Sequence, residues 1–200
     1  MESVRSFIAI ELPDELKREL SQLLVQLKPG ELPWVKWVDP YGIHLTLKFL
    51  GNVDKNRLDD ITGAMEAAVR GIPPFHLKVW ELGVFPNPRR VKVAWVGISG
   101  EVDKIGQLQQ RLESYLAPLG FATESRPFTP HLTLARLRDQ ASLTERQRFG
   151  QLIVGTRFES AQGIKVDAIS LIRSQLTREG AIYSPISLVG LKKSLSAASD

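Results

Sequence analysis

One tetrapeptide, HLTL, occurs twice in this 200-residue chain, at residues 44–47 and 131–134, and it takes up two of the three histidines. In an extended strand alternate side chains share a face. His44 and Thr46 therefore point one way while Leu45 and Leu47 point the other, and His131 and Thr133 oppose Leu132 and Leu134 in the same manner. The alternation describes a strand with one face in a core and the other face polar. Any fold for this chain has to supply a hydrophobic backing for two such strands. If their open faces line one cleft, two imidazoles and two hydroxyls converge.

The remaining sequence supplies that backing. Residues 6–12 (SFIAIEL) read as a buried strand, and Pro13 opens a helix with Leu16, Leu20, Leu23, Leu24 and Leu27 at helical spacing, ending at Pro29-Gly30. Strands are expected at 35–38 and 43–50, separated by a turn at Asp39-Pro40. Asp54 is placed to cap a second helix that carries Leu58, Ile61, Met65 and Val69 and stops at Gly71. Strands at 75–84 and 91–98 flank a proline loop, and a third helix spans about 101–119 with Ile105, Leu108, Leu112 and Leu116 on one face. After the second HLTL strand, at 131–137, come a short helix from about Thr144 and strands at 164–173 and 181–191. The irregular interleaving of helices and strands indicates an α+β fold with antiparallel sheets. Residues 1–191 read as one domain, and 192–200 as a polar, frayed tail.

Composition narrows the chemistry. With no cysteine, disulfides, thiolate metal sites and cysteine nucleophiles are excluded. A net charge of +4 and a pI of 9.4 are compatible with a polyanionic partner such as RNA. The first residues lack the apolar run of a signal peptide, and no stretch approaches the roughly 20 apolar residues needed to span a bilayer. A soluble, cytoplasmic, monomeric protein is the expectation.

Two imidazoles and two threonines suit phosphodiester chemistry. Histidine titrates near pH 6.5, so a neutral and a protonated imidazole can coexist near neutrality, one taking a proton from the attacking group and the other giving one to the leaving oxygen. Threonine hydroxyls can hydrogen-bond non-bridging oxygens. Three rival readings stand beside this one. The histidines could be surface residues of two amphipathic strands. They could ligate a metal, although neither motif brings the carboxylates such a centre needs. They could also line a nucleotide- or RNA-binding cleft without turnover. His76, in FHLKVW, has no threonine partner and reads as structural.

The segments FIAIELPDEL, GIHLTLKFLGNV, GVFPNPRRVKVAWVGI, RPFTPHLTLAR and ISLIRSQLTREGAIYSPI together resemble the two-histidine phosphoesterases, in particular their RNA 2′,3′-cyclic phosphodiesterase branch, also described as 2′-5′ RNA ligases. The resemblance runs over almost the whole chain. It implies a bilobal α+β fold with two antiparallel sheets, flanking helices and pseudo-twofold symmetry about a central cleft. It also implies opening of a 2′,3′-cyclic phosphate at an RNA end to a 2′-phosphate, without metal or other cofactor, and 2′-5′ ligation in reverse. The family roles carried over make His44 the proton donor and His131 the acceptor; the residues alone leave the two roles interchangeable. A 2′-5′ phosphodiesterase or a small-nucleotide cyclic phosphodiesterase is the neighbouring alternative.

Supporting residues follow less directly. Arg136 stands where the family has a phosphate-binding arginine, yet strict alternation puts it opposite His131, with Ala135 on the histidine face, so a bulge or strand end is required to turn it inward. Lys48 falls by alternation on the His44 face, where it could meet an RNA phosphate or simply be solvated. Arg89, Arg90 and Lys92 read first as a solvated loop, with electrostatic guidance of RNA as the alternative, and Phe49, Phe128 and Tyr183 read first as core packing or lobe contact, with base stacking as the alternative.

Overall fold

The computed structural model describes residues 2–28, 30, 32–177 and 180–191. The elements run β1 (Ser3–Glu11), α1 (Asp14–Leu27), β2 (Val35–Trp37), β3 (His44–Asp54), α2 (Leu58–Val69), β4 (Phe75–Phe85), β5 (Val93–Gly100), α3 (Val102–Leu116), β6 (His131–Leu137), α4 (Leu143–Gly155), β7 (Ile164–Val166), β8 (Ala168–Leu176) and β9 (Ala181–Gly190). Pro29 and the tail 192–200 lie outside the described residues.

The helices begin and end where local chemistry dictates. Pro13, at φ −65°, precedes α1, whose first turn carries Asp14 and Glu15 against the exposed N–H groups. Ser142 and Glu145 form a reciprocal capping box on α4. Asp54 accepts the Asn56 N–H and so caps a short 3-10 turn at Lys55–Arg57, which feeds α2, rather than capping α2 itself. After α3 a 3-10 turn at Ala117–Leu119 ends at Gly120, whose φ of 83° suits a residue without a Cβ.

The strands form one antiparallel sheet in the order β7-β4-β5-β6-β3-β1-β8-β9, with β2 added on β6. The two expected sheets are its halves, β6-β5-β4-β7 and β3-β1-β8-β9, which meet at the single pair Leu45↔Leu132. Each half contains a strand, a helix and then an HLTL strand antiparallel to the first: β1-α1-β3 in one, β5-α3-β6 in the other. The strand expected over 164–173 is two strands. β7 pairs with β4 in one half and β8 with β1 in the other, and the chain changes halves at Asp167, whose carbonyl accepts the Leu191 N–H.

The leucine faces of α1 and α3, the buried face of α2 and the inward residues of the strands make one core cluster that includes all four HLTL leucines. Each such leucine contributes roughly 1.5–3 kcal/mol relative to exposure. On the opposite side of the sheet, Phe7, Ala9 and Ile172 form a small second cluster with Tyr183 packed on it. That second side carries the histidines.

Candidate active site

The two HLTL strands share a defect. In β3, Ala9 pairs with Thr46 and Ile8 with Lys48, so Leu47 is an extra residue in the ladder. In β6, Trp95 pairs with Thr133 and Ala94 with Ala135, so Leu134 is extra in the same way. A bulge of this kind resets the alternation beyond it. Lys48 and Ala135 turn to the core side, Phe49 and Arg136 return to the histidine side, and both seven-residue segments show the same succession of buried and open positions.

The pair Leu45↔Leu132 sets the strands side by side with their leucines on the core face. The antiparallel sense carries His44 toward Thr133 and Thr46 toward His131, so imidazoles and hydroxyls alternate around a quadrilateral. The two imidazoles occupy opposite corners.

Each ring is held alike. His44 Nδ1 lies 2.8 Å from the Gly42 carbonyl oxygen and His131 Nδ1 lies 2.7 Å from that of Thr129, in both cases two residues back. A carbonyl only accepts, so Nδ1 carries the hydrogen and Nε2 is left to exchange a proton. Aromatic rings bracket both imidazoles. Phe7 stacks on His44 at 4.4 Å and Tyr183 meets it edge-on at 5.0 Å, whereas Phe85 meets His131 edge-on at 5.1 Å and Trp95 lies tilted at 6.4 Å. Glycines make room for these rings: a Cβ on Gly83 would stand 2.2 Å from the Trp95 indole, and one on Gly42 would stand 3.3 Å from the Tyr183 ring.

Burial is the main force that pushes both imidazoles below the ordinary value of 6.5. The Gly42 and Thr129 carbonyls push back on their respective rings, and the Arg136 guanidinium adds to the lowering of both. His44 feels one further upward influence, the Glu11 carboxylate. Burial also raises Tyr183 above 10.0, so it stays a neutral phenol.

The residues named from sequence fare differently. Arg136 is exposed on the histidine side, turned there by the bulge, and acts electrostatically on His44, His131 and Tyr183. Phe49 is also on that side; it is 64% exposed, with its ring 6.1 Å from Phe7. Lys48 is not on the His44 face. The same bulge buries it to 8% exposure, where its ammonium pairs with Glu113 at 2.7 Å and donates to the Ala122 carbonyl at 2.5 Å. Phe128 packs partly on the main core and lines a groove along α3 with Gln109 and Glu113, a groove that neither HLTL histidine lines. Tyr183 is in the site, but as an edge contact of His44. Arg89 and Arg90 lie in an exposed loop in which Asn87 accepts both their backbone N–H groups, and Lys92 is exposed just beyond it. His76 is exposed on β4.

Phe7, Trp95, Phe85 and Glu11 belong to the site without a local sequence signal. Their signal is in the strand register: Glu11 is the Cα partner of His44, and Trp95 of Thr133. Register between distant strands is invisible to local periodicity. Among the described residues no group of three or more His, Cys, Asp or Glu is gathered as a metal site, and no helix is long and apolar enough to cross a membrane.

The chain is similar to known proteins over nearly its whole length. The family model described as LigT like Phosphoesterase matches residues 10–95 and again 96–183, one match for each HLTL motif. A protein of Methanothermobacter thermautotrophicus named RNA 2′,3′-cyclic phosphodiesterase is 33% identical over 94% of this chain and 99% of its own length. One of the same name from Thermotoga maritima is 31% identical over 90% of this chain and 91% of its own. Among solved structures, Escherichia coli LigT complexed with 3′-AMP superposes with a TM-score of 0.75 at 25% identity, covering 95% of this chain and 99% of that one. Two HLTL strands that bulge alike, hold their imidazoles alike and fall one to each matched half leave no ambiguity of kinship: this chain belongs to the LigT-like phosphoesterase family.

Proposed function

We propose that this protein is an RNA 2′,3′-cyclic phosphodiesterase that opens the cyclic phosphate at an RNA end to a 2′-phosphate with two histidines and no metal. The observation that carries the reading is the placement of two imidazoles, each with Nε2 free, at opposite corners around two threonine hydroxyls. The names of the relatives from Methanothermobacter and Thermotoga supply the substrate class.

Displacement at phosphorus is in line, so attacking and leaving oxygens lie on opposite sides. Acid and base at opposite corners match that demand. His131 Nε2 takes a proton from water as the water oxygen bonds to phosphorus. The bond from phosphorus to the 3′-oxygen breaks, and His44 Nε2–H gives its proton to that oxygen. The products are a 3′-hydroxyl and a 2′-phosphate. Thr46 and Thr133 donate to the non-bridging oxygens, and the Arg136 guanidinium offsets charge gathering on them. With a 5′-hydroxyl attacking in place of water, the same groups form a 2′-5′ linkage.

Phe49 occupies in β3 the position that Arg136 holds in β6. A flat, exposed ring at the cleft offers a platform for the terminal base, with stacking worth about 1–3 kcal/mol. Both histidines come from one chain, so one copy holds both imidazoles, which fits a monomer; a cytoplasmic location fits an RNA substrate.

The test is phosphorus NMR of an RNA ending in a 2′,3′-cyclic phosphate, incubated with the protein in EDTA. Conversion to a 2′-phosphate is expected, and lost in His44→Ala and His131→Ala. A 3′-phosphate product, or activity that disappears on chelation, contradicts the reading. Tight binding without turnover would instead identify a nucleotide-binding module.

A further inference from the structure

The two catalytic corners hold their imidazoles in the same way, yet they differ in the charge beside them. The Cα partner of His44 across the β1–β3 ladder is Glu11, and the Cα partner of His131 across the β5–β6 ladder is Gly97. Directly paired residues of an antiparallel ladder project to the same face, so a carboxylate stands beside one imidazole and a bare backbone beside the other. Gly97 cannot readily become its counterpart, because a Cβ there would lie 3.0 Å from the Trp80 carbonyl oxygen.

Glu11 is also anchored. Ser170 of β8, almost fully buried, donates its hydroxyl to Glu11 Oε1 at 2.5 Å. Glu11, Lys17, Tyr41, His44 and Tyr183 line one small cavity beside the catalytic face. The charged and titratable groups around His44 are therefore Glu11 from β1, Arg136 from β6, Tyr183 from β9 and, along the cavity, the exposed Tyr41 and Lys17 of α1, whose ammonium is paired with Asp14 at 3.5 Å. Tyr183 is neutral, and Arg136 acts on both histidines alike. Glu11 is the anionic group that distinguishes them.

We propose that Glu11 is a positioning residue that assigns the proton-donor role to His44, by holding negative charge beside that imidazole and not beside His131. The inference rests on the acid–base reading above. Glu11 touches no reacting atom; it acts by favouring the imidazolium at one corner only. The family match identifies two equivalent motifs, and this carboxylate makes them inequivalent.

The test is Glu11→Gln, isosteric and still able to accept from Ser170, so packing and the anchor are kept. Histidine carbon–proton spectra, with His44 and His131 assigned from their alanine variants, report each ring separately. His44 is expected to titrate at lower pH in Glu11→Gln than in the natural protein, and His131 at an unchanged pH. In kcat/KM the alkaline limb moves to lower pH while the acid limb stays, with a loss of roughly threefold on the alkaline side, the size expected for a partly solvated charge pair. An unchanged His44 titration, or a rate loss equal at every pH, overturns the role of Glu11. If the His44 titration moves but the acid limb shifts instead, His44 is the base, and the donor assignment of the proposed mechanism falls with it.

Discussion

Residues 44–50 (HLTLKFL) and 131–137 (HLTLARL) share five of seven side chains, bulge at the same leucine and alternate between core and cleft in the same way. They differ at the two positions after the bulge. Toward the core, one strand has Lys48 paired with Glu113 and the other has Ala135. Toward the cleft, one has Phe49 and the other Arg136. On the proposed reading, what the strands share moves protons, and where they differ, they separate a side suited to a nucleobase from a side suited to a phosphate.

The largest expected effects fall on the shared residues. His44→Ala and His131→Ala each lower kcat by about 10²–10⁴-fold, the usual worth of a general acid or base, and the double variant loses much less than the product of the two. Single-turnover hydrolysis of a cyclic-phosphate RNA measures this. Full activity in either single variant would remove that strand from the chemistry.

The cleft-facing pair comes next. Arg136→Ala lowers kcat/KM about 10²-fold whatever the terminal base, because it removes charge stabilisation at phosphorus. Phe49→Ala raises KM by roughly 5–150-fold with kcat nearly unchanged, and more for purine than for pyrimidine ends. Steady-state kinetics over four terminal nucleotides distinguish the two. A kcat defect in Phe49→Ala, or a base-dependent defect in Arg136→Ala, would collapse the proposed division between base side and phosphate side.

The core-facing pair affects stability and spares chemistry. Lys48→Ala leaves the partly covered Glu113 carboxylate without its cation and costs about 1–3 kcal/mol, whereas Lys48→Met, which fills the space, costs less when Glu113 is changed to Gln with it. Denaturant unfolding reads both. In the folded fraction of Lys48→Ala, kcat stays within a few-fold of the natural value; a thousandfold loss would return Lys48 to the active site.

The smallest effect is in the pH profile. Burial holds both imidazoles below 6.5 in the free protein, so each is neutral at lower pH than usual. The kcat/KM profile, which reports the free enzyme, is expected to peak on the acid side of 6.5 and to fall as pH rises through neutrality. The bound phosphate favours the charged imidazoles, so the kcat profile lies at higher pH. Coincident profiles would mean that the substrate does not face both rings.

How much of this was legible beforehand depended on the range over which each feature is encoded. The four helices and the HLTL faces follow from local periodicity, and they appear where spacing puts them. Lys48 and Arg136 could not be placed by alternation because Leu47 and Leu134 bulge, and the bulge depends on pairing with β1 and β5, strands distant in sequence. The break at Asp167 is likewise a consequence of which strands lie at the two ends of the sheet. Phe7, Trp95 and Glu11 belong to the site through cross-strand neighbours, a relation that exists only once the sheet is assembled.

The central claim is that His44 and His131 act from opposite sides of phosphorus in different roles. It is tested most directly with an RNA end whose 3′ bridging oxygen is replaced by sulfur, a leaving group that needs no proton. Hydrolysis of that substrate by His44→Ala should return to near the natural rate, while His131→Ala stays as slow as on the oxygen substrate. Rescue of His131→Ala, or no rescue of His44→Ala, would contradict the account.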